Sequence, residues 1–120
     1  MPRGATVLVV EDEPIIRLAA LDIVEQAGFE ALEAENADRA IAVLEKRSDV
    51  RLVFTDVDMP GSMDGVKLAH YIRRRWPPIQ LIVASGKAII AESHLPAGAR
   101  FFAKPYPEHA IADTIAKMLA

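Results

Sequence analysis

The 120-residue sequence predicts an α/β domain with a mostly parallel five-stranded sheet covered by helices on both faces. Three observations lead there. Short apolar runs of four to six residues alternate with stretches of helical period, five of each. Most of the short runs are rich in β-branched or aromatic residues, which favours strands over helices. The first and fourth runs are almost continuously apolar, as strands buried on both sides must be.

Thr6–Val10 is the first strand. Ile16, Ala19, Ala20, Ile23, Val24 and Ala27 then recur at helical spacing until Gly28 stops the helix, with Glu13 before Pro14 read as its cap. A weaker run, Phe29–Leu32, is the second strand. Asn36 caps a second helix whose apolar face is Ala37, Ala40, Ile41 and Leu44, and whose solvated face is Asp38, Glu45, Lys46 and Arg47. Leu52–Thr55 is the third strand. Leu68, Ala69, Ile72 and Trp76 form the next helix after Asp64-Gly65, and Pro77-Pro78 ends it. Its basic run Arg73-Arg74-Arg75 reads as a solvated helix end. Gln80–Ala84 is the fourth strand, Lys87–His94 a shorter helix, and Ala99–Ala103 the fifth strand. Ile111, Ile115, Met118 and Leu119 mark the last helix, with Pro107 in its first turn.

The length fits one domain over residues 1–120. There is no cysteine, which excludes disulfides and thiolate metal sites. Net charge is −3 with both signs dispersed, which argues against direct binding to nucleic acid. No run approaches the ~18 apolar residues of a membrane span, and no apolar signal region follows Met1-Pro2-Arg3-Gly4. The expectation is a soluble, cytoplasmic chain.

Ligands of an open α/β sheet bind beyond the carboxyl ends of its strands. The first strand runs into Glu11-Asp12-Glu13, and the third ends on Asp56 with Asp58 two residues on. The fourth ends on Ser85-Gly86, and the fifth on Lys104-Pro105. Four strands thus deliver polar groups to one edge. Each like-charge pair among Glu11, Asp12 and Asp56 would cost about 4 kcal/mol at ~4 Å and an effective dielectric near 20. Such a cluster must raise its pKa values or hold a cation, and Mg²⁺ suits few carboxylates that share a phosphoryl oxygen and waters. Lys104 and Ser85 add a cation and a hydroxyl for further oxygens. Phosphoryl transfer to an aspartate is the natural chemistry. By contrast, His70, His94 and His109 have no spacing for a shared metal, and Met59 and Met63 read as loop packing.

The strings VLVVEDEP, LVFTDVDMPGSMDG, IVASG and FFAKP, in this order and at these strand ends, resemble the receiver domain of two-component response regulators over nearly the whole chain. The resemblance implies a flavodoxin-like doubly wound (βα)5 fold with sheet order 2-1-3-4-5. It implies Asp56 as phosphoacceptor, and Mg²⁺ held by Glu11, Asp12, Asp56 and the Asp58 backbone carbonyl. It implies Ser85 and Lys104 as partners of the phosphoryl group, Phe101 as the aromatic switch position, and a cis Lys104-Pro105 bond. It further implies a histidine kinase or histidine phosphotransfer protein as donor. The signalling face would be the fourth helix, fifth strand and fifth helix, including Ile89 or Ile90, Phe101, Tyr106 and His109, open to an effector or a second copy. Such a domain is no enzyme beyond its own phosphorylation and dephosphorylation.

Three departures stand out: Glu11 replaces the commoner aspartate, the loop 59–65 is one residue longer than usual, and Phe101 lacks a tyrosine hydroxyl. Glu11 could therefore reach a metal directly or through water. Two rival readings exist. Haloacid-dehalogenase-type phosphatases also use an aspartate pair, but after the first strand, whereas Asp56 and Asp58 follow the third. A receiver-like binding module that works without phosphorylation would be free to lose members of the set Glu11, Asp12, Asp56, Ser85 and Lys104.

Overall fold

The computed structural model describes residues 5–120. In chain order the elements are β1 (Thr6–Val10), α1 (Pro14–Gln26), β2 (Glu30–Ala34), α2 (Ala37–Lys46), β3 (Val50–Asp56), α3 (Gly65–Arg75), β4 (Gln80–Ser85), β5 (Arg100–Ala103) and α4 (Glu108–Met118). All strand pairs are parallel, and the sheet order is β2-β1-β3-β4-β5. This is the predicted doubly wound arrangement.

Successive strand residues point to opposite faces, so each central strand feeds two cores. Leu8, Val10, Val53, Leu81 and Val83 pack with Leu44 of α2 and with Leu68 and Ile72 of α3. On the other face, Val7, Val9, Leu52, Phe54 and Ile82 pack with Ile23 and Val24 of α1 and with Ile111 and Ile115 of α4. Met59 and Met63 lie against the first of these cores, as loop packing requires. Enclosure on both sides explains why β1 and β4 carry apolar residues without alternation.

The helix caps are local in origin. Asn36 Oδ1 accepts the Arg39 N–H at 2.9 Å, and Asp64 Oδ1 accepts the Lys67 N–H at 2.9 Å. Replacing Asn36 by alanine leaves an N–H of the first turn without this partner, and is expected to cost about 1 kcal/mol. A lower urea midpoint with an unchanged slope would show it. Glu13 departs from expectation: it occupies the cap position of α1, yet its side chain makes no capping bond. The carboxylate of Glu11 takes the Glu13 N–H instead, at 3.1 Å, and Pro14 has no N–H to satisfy.

The predicted helix at Lys87–His94 is absent. Only a single 3-10 turn, Glu92–His94, forms there. The two large apolar residues of this stretch, Ile89 and Ile90, have no other large apolar residue three or four positions away, so they do not extend into the apolar stripe that a packed helix needs. Ile89 is 87% exposed, whereas Ile90 packs against the α2–α3 core. Long-range bonds hold the segment in its non-helical course. Glu92 Oε2 accepts the Phe101 N–H at 3.0 Å, His70 Nε2 donates to the His94 carbonyl at 2.9 Å, and Arg73 donates to the Ala97 carbonyl. Leu95 is buried in the α2–α3 core. Arg73 is therefore partly engaged, while Arg74 and Arg75 form the exposed end of α3.

Candidate functional site

The hydrogen-bond ladders of the sheet continue past the strand ends and fix the residues that follow. The Glu11 N–H donates to Ala34 O at 3.0 Å, Val57 N–H to Ala84 O at 2.8 Å, and Lys104 N–H to Ser85 O at 2.9 Å. The backbones that carry Glu11, Asp56, Ser85 and Lys104 are thus positioned by the sheet itself. The Lys104-Pro105 bond is cis, as expected.

At this edge, carboxylate oxygens of Glu11, Asp12 and Asp56 lie within 4.8 Å of one another. Glu11 and Asp56 are buried, and Asp12 is half-buried. Lys104 Nζ reaches between them, 2.7 Å from Asp56 Oδ1 and 3.2 Å from Glu11 Oε1. Arg17 reinforces the site from α1 by donating to the Glu11 carbonyl at 2.9 Å. Ser85 is 1% exposed, and its hydroxyl donates to Asp58 Oδ2 at 2.8 Å.

Charge at the site is unbalanced, with three carboxylates around one ammonium. Burial pushes the Asp56 carboxyl above its ordinary pKa; Asp58 and Asp12 add to this, while Lys104 opposes it. Burial likewise raises Glu11, with Asp56 adding and the Glu13 N–H and Lys104 opposing. For Lys104, burial would lower the pKa, but pairing with Asp56 and Glu11 outweighs it and the net direction is upward. A hard divalent cation among these oxygens would relieve the repulsion, and an all-carboxylate donor set is the kind that Mg²⁺ accepts.

The structure brings Glu11, Asp12, Asp56 and Lys104 together at this edge, with Ser85 and Asp58 joined beside them, while the Glu13 side chain is exposed. Phe101 pairs with Val83 in the sheet and packs, half-buried, against the α2–α3 core. Two features were not anticipated. The side chain of Asp58, rather than only its backbone, faces Ser85 across 27 positions of sequence. Gly65, the first residue of α3, lies directly against the backbone of Asp56 and Val57, and its N–H donates to Val57 O at 3.0 Å. A glycine at a helix start after a good cap was the one visible hint of close approach.

The model of the response regulator receiver domain matches residues 7–116. The chain belongs to this family. Receivers are phosphoacceptor signalling modules of two-component systems rather than classical enzymes, and the acidic cluster found here is typical of their Mg²⁺ site. The receiver is 36% identical over 120 residues to the sensor kinase CckA of Brucella abortus, with 97% of the chain aligned. It is 37% identical over 117 residues to the response regulator protein FleR of Pseudomonas aeruginosa, with 95% of the chain aligned. The chain spans only 13% and 24% of the lengths of those two proteins. Among solved structures, the receiver domain protein of Methanospirillum hungatei superposes with a TM-score of 0.85 at 26% identity, covering 96% of this chain and 93% of that one. No helix among the described residues is long and apolar enough to cross a membrane.

Proposed function

We propose that this receiver accepts a phosphoryl group from a histidine kinase or histidine phosphotransfer protein onto Asp56, in a Mg²⁺-dependent reaction. The observation that carries the reading is the juxtaposition of the buried Asp56 carboxylate with Lys104 at 2.7 Å and with the carboxylates of Glu11 and Asp12. A carboxylate oxygen of Asp56 attacks phosphorus as the donor's N–P bond breaks, and the electron pair returns to the imidazole nitrogen. Lys104, already beside Asp56, balances charge on the transferred oxygens, and the Ser85 hydroxyl is the neighbouring donor for them. Glu11, Asp12, Asp56 and the Asp58 carbonyl would hold Mg²⁺, which supplies the positive charge that this pocket lacks. Both Glu11 oxygens already have protein partners, Lys104 and the Glu13 N–H, which favours contact with the metal through water.

The surface beside the pocket suits a protein donor. α1 exposes Ile15, Ile16 and Leu18, and a largely apolar concavity of about 380 Å³ lies between Ile16, Ala19, Pro105 and Tyr106, with Lys104 and Glu108 also in its lining. Output would pass through the segment 86–99, β5 and α4 to an effector or a second copy, in the cytoplasm. The residues 1–120 act as one receiver unit in this reading.

Incubation with acetyl phosphate and Mg²⁺ should give a single long-lived phosphate adduct by intact mass. Rapid turnover without an adduct would point to a phosphatase, and inertness to a phosphorylation-independent module. Mg²⁺ should also raise the melting temperature, since saturation at 100 times Kd contributes about 2.7 kcal/mol. Asp12→Asn should remove most of that rise; an unchanged response would exclude Asp12 from the metal site.

A further inference from the structure

Resting on the phosphoacceptor reading, we infer that the Asp58 carboxylate is a positioning residue that competes with the phosphoryl group for the Ser85 hydroxyl proton. A serine hydroxyl has one proton to donate and two lone pairs to accept with. In the unphosphorylated receiver all three are in use. The Ser85 hydroxyl donates to Asp58 Oδ2 at 2.8 Å and accepts the N–H groups of Lys87 at 3.2 Å and Ala88 at 3.1 Å. Ser85 is also 1% exposed, so solvent does not compete for its hydroxyl while Asp58 is in place.

Ser85 can therefore donate to a phosphoryl oxygen only by giving up Asp58. Turning the hydroxyl also draws its lone pairs away from Lys87 and Ala88, at the start of the segment where no fourth helix forms. One proton thus links two states. In one, Asp58 holds Ser85 and Ser85 pins the 87–88 backbone; in the other, the phosphoryl group holds Ser85 and that backbone is released. Because a ligand shifts an equilibrium only by binding one state better, the strength of the Asp58 bond sets how much of the phosphoryl contact reaches the segment.

The test measures binding of beryllofluoride, with Mg²⁺, to the intact chain and to Asp58→Ala, Ser85→Ala and the double variant. Alanine at 58 keeps the backbone carbonyl and removes only the competing acceptor and its charge. Asp58→Ala should tighten binding about tenfold, the scale of a hydrogen bond to a charged acceptor. In the Ser85→Ala background only the charge effect remains, so the gain should be at least about threefold smaller. Asp58→Asn keeps an acceptor oxygen and should fall between. Without any ligand, Asp58→Ala should shift the Lys87 and Ala88 amide resonances, which now face a freely turning hydroxyl. Equal tightening in both backgrounds, or weaker binding in Asp58→Ala, overturns the inference alone. Failure of the unsubstituted chain to bind beryllofluoride overturns the inference together with the phosphoacceptor reading.

Discussion

Asp56→Asn is expected to abolish the phosphate adduct altogether. The amide oxygen is uncharged and far less nucleophilic than a carboxylate, so the O–P bond does not form on the timescale of the assay. The substitution also removes one of the three carboxylates around the metal position and leaves Lys104 with Glu11 as its remaining anionic partner. Intact mass after incubation with acetyl phosphate and Mg²⁺ reads the loss directly, and peptide mapping of the unsubstituted protein locates the adduct. Asp12 and Asp58 are the carboxylates that test the assignment hardest, since both lie close enough to raise the pKa of Asp56. An adduct mapped to either of them would remove Asp56 from its proposed role.

Gly65→Ala should be the most damaging of small substitutions outside the carboxylate cluster. A methyl group there would overlap the carbonyl of Asp56 and stand 2.7 Å from the Asp56 carbonyl carbon and 2.8 Å from Val57 Cα. All of these are backbone atoms, which cannot rotate aside. α3 would have to back away from the sheet, and with it Leu68, Ala69 and Ile72, which are completely buried. Overpacking of this kind costs about 1–3 kcal/mol, and the rigid neighbours place Gly65→Ala at the upper end. Gly61 is the natural control. It has φ +110° and nothing within 4 Å, so alanine there meets only conformational strain, about 1–3 kcal/mol, with no clash. Both variants should lower the urea midpoint, but only Gly65→Ala should also displace the amide resonances of Asp56 and Val57 and slow adduct formation. Wild-type resonances and rates in Gly65→Ala would refute the contact.

What could be read from sequence followed from patterns local to the chain. The five strands came from apolar runs, and the site came from noticing which polar residues follow those runs. That is why Glu11, Asp12, Asp56, Ser85 and Lys104 were found together. What could not be read depends on partners far away in sequence. Glu92 looks like a helical residue, but its carboxylate is committed to Phe101 and Arg100, nine and eight positions on. Glu13 has the sequence appearance of a cap, yet its side chain makes no capping bond, and its own N–H is taken by the Glu11 carboxylate. The side-chain partnership of Asp58 and Ser85 likewise needed the sheet to bring β3 and β4 side by side.

The Glu92 contact has a bearing on self-association. β5 is the outermost strand on its side, and such a strand offers unpaired N–H and C=O groups to any other chain that can align with it. Here the Phe101 N–H is already taken by a carboxylate from the same molecule, and a strand approaching along that line would have to displace a charged side chain. Growth of the sheet into a neighbour through β5 is thereby opposed at Phe101. Two copies extending the sheet at Phe101 would have to break that bond, whereas contacts through helix and loop surfaces leave it intact and can be made and broken without unravelling a shared sheet.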